Sequence, residues 1–483
     1  MDRVDVAVIG FGPTGAMAAL RCAQRGLSVV AIDASTEIYP LPRAIGIDAE
    51  GARLFHSAGL GDELAACSTP LRGAEFVDAD RNRVIGFDLP DGFVGPLGHP
   101  PSLMFEQPLL EAALRDAARR AGVDIRLGVA ATDLQMTDDG VRLETAATSD
   151  GPGSTSTNSI EARWVIGADG ASSWTRKHLG VELVDEGYDQ PWLVVDTTLL
   201  DPDLDLPPIV QQICDPARVT TFVPGHDTRR RWEFRLRADE DPDALQANVE
   251  SLLAPWGRRD QLRVDRTAVY RFHALIAEQF RVGPVFLAGD AAHQMPPFNG
   301  QGMCSGLRDA DNLAWKLALV ASGAATDALL DTYETERRPH SIATVDHTCD
   351  AGRLIDAIAA GTFTSAEAGY GGGRPAPHVE AGVVDGDHAG TGRPCPQPRV
   401  DGRPLDELLG AGFAVLSAAP VDLPPALTTI GARAVVLPAH ELPRGWFDDA
   451  PATRAAIVRP DRVVATVTDD LAAAAERLFA DWI

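Results

Sequence analysis

The sequence predicts an α/β fold. A parallel sheet flanked by helices carries an inserted antiparallel sheet, and a small α/β unit closes the chain. Three observations predict it. An apolar strand at residues 4–9 runs into a glycine-rich turn, an Ala-rich helix and a second apolar strand. Residues 70–100 and 180–270 turn to Pro, Asp and short alternating strands. Residues 361–400 are rich in Gly, Pro and Ala and read as a linker before a last segment, 401–483.

In chain order, the helix at 16–25 ends at Gly26, and the strand at 29–32 ends on Asp33. The stretch 107–121 repeats Leu109, Leu110, Ala113, Leu114, Ala117 and Ala118 at helical spacing, with Glu111 and Arg115 at i,i+4; Gly122 stops it. Trp232, Phe234 and Leu236 alternate with Glu233, Arg235 and Arg237, the pattern of a half-buried antiparallel strand. Residues 285–288 form another buried strand, and a long helix is expected over 303–322.

Composition narrows the function. The 483 residues carry a formal charge of -26, which disfavours phosphate backbones and anionic lipid. No nucleic acid or membrane partner is therefore expected. Six scattered cysteines include no Cys-x-x-Cys pair, so neither a metal site nor a disulfide framework is expected. No long apolar run or leader-like start appears, and a cytoplasmic location is the expectation.

Three strand-end motifs carry chemistry. Gly10-Phe11-Gly12-Pro13-Thr14-Gly15 sits between strand and helix. Gly10 permits the tight turn, Gly12 lets backbone approach a diphosphate, and Gly15 lets helix and strand pack closely. Pro13 suits the first helical turn. Asp33 follows at the distance where an acid holds a ribose. The motif predicts dinucleotide binding without choosing the dinucleotide. A second string runs from Val285 through Gly289, Asp290 and His293 to Pro296-Pro297-Phe298-Asn299-Gly300-Gln301-Gly302. It delivers a carboxylate, a stiff wall suited to a flat ring, and a helix N-terminus able to face negative charge. The third, Val165 to Ser173, ends a strand on Asp169-Gly170.

In this order the motifs resemble the single-component (class A) FAD-dependent aromatic hydroxylases of the p-hydroxybenzoate hydroxylase superfamily. Within it the chain is similar to the 3-(3-hydroxyphenyl)propionate hydroxylases and the tailoring hydroxylases of aromatic polyketides. Further matching segments are Pro42 to Asp48, Gln107-Pro108, Trp192 to Asp196, Arg230 to Phe234, Asp309 to Lys316 and Tyr333 to Pro339. The resemblance implies a Rossmann-like FAD-binding domain from 1–70, 101–178 and 266–360. It also implies a substrate-binding sheet domain from 71–100 and 179–265, and a thioredoxin-like domain at 401–483.

It further implies FAD as cofactor and NADH or NADPH as a transient co-substrate. The expected product is a hydroxylated phenol, formed through a flavin C4a-hydroperoxide. The substrate is either a phenylpropanoid-type phenol or an aromatic natural-product intermediate. The expected FAD contacts are Gly10, Gly12, Pro13, Gly15, Asp33, Arg43, Gln107, Asp169, Gly289, Asp290, Pro297, Gly300, Gly302 and Met303. Ile45 and Gly46 lie beside the flavin ring.

Trp192, Phe222, Phe234, Pro297 and Phe298 are candidate pocket residues. His273 and Tyr270 are candidate bases for the phenol, while His293 reads as structural. A Baeyer–Villiger or epoxidising oxygenase is the alternative, since it would use the same fold. A flavin halogenase is disfavoured because no two of the eight tryptophans lie two residues apart. A silent FAD-binding protein is disfavoured by the intact motifs. A monomer or homodimer is expected.

Overall fold

The computed structural model describes residues 2–41, 43–150, 158–363, 378–443, 445–447, 451 and 453–483. One sheet runs Arg281–Val282, Val285–Leu287, Asn158–Gly167, Asp2–Ile9, Val29–Asp33, Asp124–Leu127. Its four longest-range pairings are parallel. Val6, Ala7, Val8 and Ile9 are all buried, because helices and a hairpin cover both faces. The helix Pro13–Gln24 packs against Gly302–Ala321 through small residues. A Cβ on Gly306 would sit 2.2 Å from Thr14 Oγ1, so the contact needs glycine. The helix Gln107–Arg120 buries Leu110, Leu114 and Ala118 as expected, but Leu109 faces water.

The second sheet has eight strands, in the order His293–Gln294, Leu262–Ala277, Leu183–Leu199, Arg229–Arg235, Thr220–Pro224, Val210–Ile213, Gly73–Val77, Arg83–Asp88. All neighbours are antiparallel except Val210–Ile213 on Gly73–Val77. Leu193, Val195, Phe222, Trp232 and Phe234 share one face, packed under Val249 and Leu253. The other face carries Trp192, Asp196, Arg231, Glu233 and Arg266 by strand alternation and register. Within the alternation at 232–237 Arg237 is exposed and Arg235 half-buried, as expected, but Glu233 is buried, as is Arg231 before it. Around Arg231 and Glu233 the second face is covered as well. Over the second face, Leu354, Ile355 and Ile358 of the helix Ala328–Ala359 cap the Trp192 end.

The C-terminal part holds a four-stranded mixed sheet, Arg433–Val436, Ala414–Ser417, Ala455–Val458, Val464–Thr468. A fully buried charge cluster ties it to the long helices. Glu336 accepts from Arg459 Nη2 at 2.8 Å and pairs with Lys316 Nζ at 2.9 Å. Asp461 accepts from Trp315 Nε1 and Asn312 Nδ2, each at 3.0 Å. Part of the expected linker, 364–377, lies outside the described residues; 378–400 is packed, with Val383 N donating to Glu336 Oε1 at 2.9 Å. No described helix is long and apolar enough to cross a membrane.

Candidate active site

Strand register brings the three motifs to one edge. Gly10 N donates to Ile32 O, Ala168 N to Ile9 O, and Ala288 N to Gly167 O. The glycine turn, Asp33, Asp169 and Gly289-Asp290 therefore stand side by side at the C-terminal ends of the parallel strands, where such sheets bind ligands. Gly10 has φ +91° and packs on Ala168, whose O would lie 2.5 Å from an added Cβ. A Cβ on Gly15 would lie 1.9 Å from Gly10 O. Gly12 differs: an added Cβ there meets nothing within 4 Å.

Gly12 begins the helix Pro13–Gln24 with no side-chain cap. The open first turn thus offers backbone N–H groups and the positive end of the helix to an anion. Asp33 Oδ2 accepts from Phe11 N at 2.7 Å and Oδ1 from Ser35 N at 2.7 Å, which fixes the carboxylate beside the turn.

Asp290 is open, yet burial raises its pKa. Its position is set from behind by Asp309. That fully buried carboxylate accepts from Gly289 N at 3.0 Å and from Arg337 Nε at 2.7 Å, and its other polar neighbour is His293 Nε2 at 2.7 Å. His293 and Arg337 outweigh burial and hold Asp309 down at about 2. His293 is therefore a structural partner, as the sequence reading had it. An open space at Gly12, an uncapped helix start and an exposed acid held from behind at a strand end fit a dinucleotide laid along this edge.

Asp169 holds its own turn together. Its Oδ1 accepts from Ser173 Oγ at 2.5 Å, and its Oδ2 accepts from Thr175 N at 2.9 Å and Thr175 Oγ1 at 3.0 Å. Both oxygens organise the start of the helix Trp174–His178, so the side chain braces the turn.

A loop faces that edge from the other side. Gln107 Oε1 accepts from Arg43 N at 3.1 Å and Ala44 N at 2.8 Å. Ile45 O accepts from Phe105 N at 3.0 Å, and Gly46 pairs with Met104. Gln107 thus shapes the Arg43–Gly46 segment. The Arg43 guanidinium is exposed, 4.7 Å over the Tyr39 ring. Gly300 takes φ +61° in the turn after Pro297, before Gly302 opens its helix with Met303 partly buried behind.

The second sheet presses its polar face on this loop. Arg231 Nη1 donates to Arg43 O at 2.9 Å, and Arg231 Nε to Asp196 Oδ1 at 2.7 Å. Arg266 Nη1 lies 3.5 Å from Asp196 Oδ2. Glu233 Oε1 stands 3.9 Å from Arg231 Nη1, beyond a hydrogen bond, and burial raises its pKa to about 6. At the far end Trp192 stacks near Phe272, with Phe298 edge-on at 5.6 Å. The face therefore grades from aromatic to ionic, with Glu233 between the two ends.

The pocket candidates separate across the sheet. Trp192 and Phe298 share this face, with Pro297 beside Phe298 on the facing loop. Phe222 and Phe234 do not: they lie on the opposite face with Trp232, so they are core. Strand alternation decides this, and the sequence alone does not say which face meets the ligand. Tyr270 is on the ionic face, 5.2 Å from the Arg266 guanidinium, and partly exposed. His273 points the other way by strand alternation and lies 3.7 Å from Asp189. Asp196, Arg231, Glu233 and Arg266 were not singled out as site residues, because polar positions on an alternating strand read as solvated. The signal was the arginine–acid alternation itself, repeated on neighbouring strands.

Residues 3–348 match the family described as an FAD binding domain. The chain belongs to the FAD-dependent hydroxylases. It is 33% identical to a 3-(3-hydroxy-phenyl)propionate/3-hydroxycinnamic acid hydroxylase of Mycobacterium sp. (strain JLS), over 95% of this chain and 88% of that one. It is 37% identical to a probable NADH-specific resorcinol 4-hydroxylase of Rhodococcus jostii (strain RHA1), over 73% of this chain and 65% of that one. Its fold matches aklavinone-11 hydroxylase, solved with FAD and aklavinone, with TM-score 0.82, 24% identity and 99% of each chain covered. A RebC variant bound to K252c gives TM-score 0.81 at 21% identity, over 99% of this chain and 100% of that one. As an FAD-dependent hydroxylase the chain has a Rossmann-like cofactor fold, and the edge described above is where that fold takes its dinucleotide.

Proposed function

We propose that this hydroxylase oxygenates a phenolic small molecule held between the Arg43–Gly46 and Pro297–Gly300 loops and the ionic face of the antiparallel sheet. The observation that carries this is the Arg231–Arg43 hydrogen bond, which sets that face directly against the cofactor loop. FAD, reduced by NADH or NADPH, supplies the activated oxygen. The chain supplies position and shelter. Gly10, Gly12, Pro13 and Gly15 receive the diphosphate, Asp33 the ribose and Asp290 the ribityl chain. Arg43, Ile45, Gly46, Pro297 and Gly300 flank the ring. Trp192, Phe272 and Phe298 keep the aromatic end of the pocket dry, which protects the oxidant from water. The antiparallel sheet, from 71–100 and 179–265, is the substrate domain in this reading, and 401–483 is a C-terminal domain.

Relatives named for hydroxyphenylpropionate, hydroxycinnamate and resorcinol support a phenol as substrate. The test is a screen of phenols, phenylpropanoids and polycyclic phenols with purified FAD-loaded protein. Stimulated NAD(P)H oxidation matched by a product heavier by one oxygen is expected. Oxidation that no phenol stimulates, with only hydrogen peroxide formed, would overturn the reading.

A further inference from the structure

We infer that Glu233 is the residue that accepts the phenolic proton as the ring is oxygenated. This rests on the phenol reading above. Four observations place it there. Glu233 lies on the face that Arg231 presses on the Arg43 loop, two residues along the same strand. It sits between the aromatic end, at Trp192, and the ionic end, at Asp196 and Arg266, so a ring lying along this face would bring a hydroxyl alongside it. Among the described residues its closest charged partner is Arg231, at 3.9 Å, so no described guanidinium takes up the carboxylate in a hydrogen bond. The remaining exposed fraction of its side chain, 8%, leaves it reachable.

Arg231 and Arg235 share the strand of Glu233, and Arg235 pairs with Asp356 of the long helix. Asp196 and Val194 come from one neighbouring strand, and Thr221 from the other. Thr221 is already engaged with Gln212, at 2.7 Å. Arg266 stands on the strand beyond, facing Asp196. Tyr270 is the other titratable group on this face; it is partly exposed at the rim, beside Arg266.

The step balances without a redox partner. The phenol O–H bond breaks, an O–H bond to Glu233 forms, and the electron pair left on oxygen enriches the ring for attack. Arg231 and Arg266 favour the negative charge that develops on the substrate. Burial, which raises Glu233 to about 6, brings it nearer to a phenol, ordinarily about 10, than a solvated carboxylate would be.

The experiment uses FAD-loaded wild type and Glu233→Gln with the phenol that the screen identifies, and with ring-fluorinated versions ionised at the assay pH. Product-forming kcat of the Gln variant should fall about a hundredfold on the parent phenol. FAD content should hold, and KM should change little. The acid limb of the wild-type kcat profile, near pH 6, should vanish. The wild-type-to-variant ratio should shrink towards one on the ionised phenols, which need no base. Equal kcat on the parent phenol, or a ratio that does not depend on phenol ionisation, would overturn the assignment. Should the Gln variant lose FAD, Glu233→Asp takes its place. A kcat loss confined to un-ionised phenols then supports the role, and wild-type kcat overturns it. Wild type that makes no product from any phenol would instead defeat the function itself.

Discussion

Arg231 donates to the backbone carbonyl of Arg43 at 2.9 Å, so one side chain joins the substrate-facing sheet to the cofactor loop. The same guanidinium holds Asp196 at 2.7 Å, and both groups are buried. Replacing Arg231 with Met leaves Asp196 buried with Arg266 at 3.5 Å. Breaking a buried pair from one side costs roughly 3 kcal/mol. Urea melts should show a loss of that size, and hydrogen peroxide should rise at the expense of product. Arg231→Lys should recover stability only in part, since an ammonium lacks the fork that reaches both partners. A Met variant with wild-type stability and coupling would mean that the link is incidental.

The glycines of the first motif should separate folding from binding. Gly15→Ala forces a Cβ to 1.9 Å from Gly10 O and should destabilise the protein even without FAD. Gly12→Ala meets open space at φ -73°, an ordinary angle for alanine. Its apo melting temperature should match wild type, while FAD affinity falls at least tenfold. Differential scanning fluorimetry and a flavin fluorescence titration decide this. If Gly12→Ala binds FAD normally, the diphosphate does not pass there.

Asp290 should show opposite effects on apo stability and FAD affinity. Burial raises its folded pKa, so the protonated form is favoured by folding. That contribution is present below the unfolded value, about 4, and is lost as pH rises through the folded one. Asp290→Asn should therefore raise the apo melting temperature at pH 7 and change it little at pH 3.5. FAD retention should drop at both. Unchanged flavin occupancy would remove Asp290 from the cofactor site.

The buried charges that hold the C-terminal part are unequal. Lys316 is pushed down to about 8 by burial, and Arg459 pairs with Glu336 at 2.8 Å and with Asp461 at 2.5 Å. Lys316→Met leaves Glu336 paired and should cost under about 1.5 kcal/mol. Arg459→Met takes the guanidinium from Asp461, which keeps the Trp315 and Asn312 donors, and leaves Glu336 to Lys316; it should cost about 3–5 kcal/mol, or expose the C-terminal part to protease. Equal losses would show that the cluster does not act through Arg459.

The parallel sheet and its cofactor edge were legible because their signals are local. Residues 10–15 need glycine for reasons of a single turn, and Asp33 and Asp290 sit at strand ends that apolar runs mark. The long helices followed from spacing. The sheet at 183–277 was legible as strands, but its second face was not: Arg231 and Glu233 alternate with Trp232 and Phe234 as solvated residues would.

By itself, the sequence determined the dinucleotide edge, the order of elements and the family. Each rests on short-range rules that hold wherever the segment lies. Only the tertiary structure decided which sheet face meets the cofactor loop. Side chains on a strand alternate whatever lies above or below them, so burial of the polar set depends on the Arg43 loop and the helix Ala328–Ala359, both distant in sequence. That packing put Phe222, Phe234 and His273 on the sheet face turned away from the Arg43 loop, and set Asp169 against Ser173 and Thr175. It also gathered Asp196, Arg231, Glu233 and Arg266 on the face that meets the Arg43 loop.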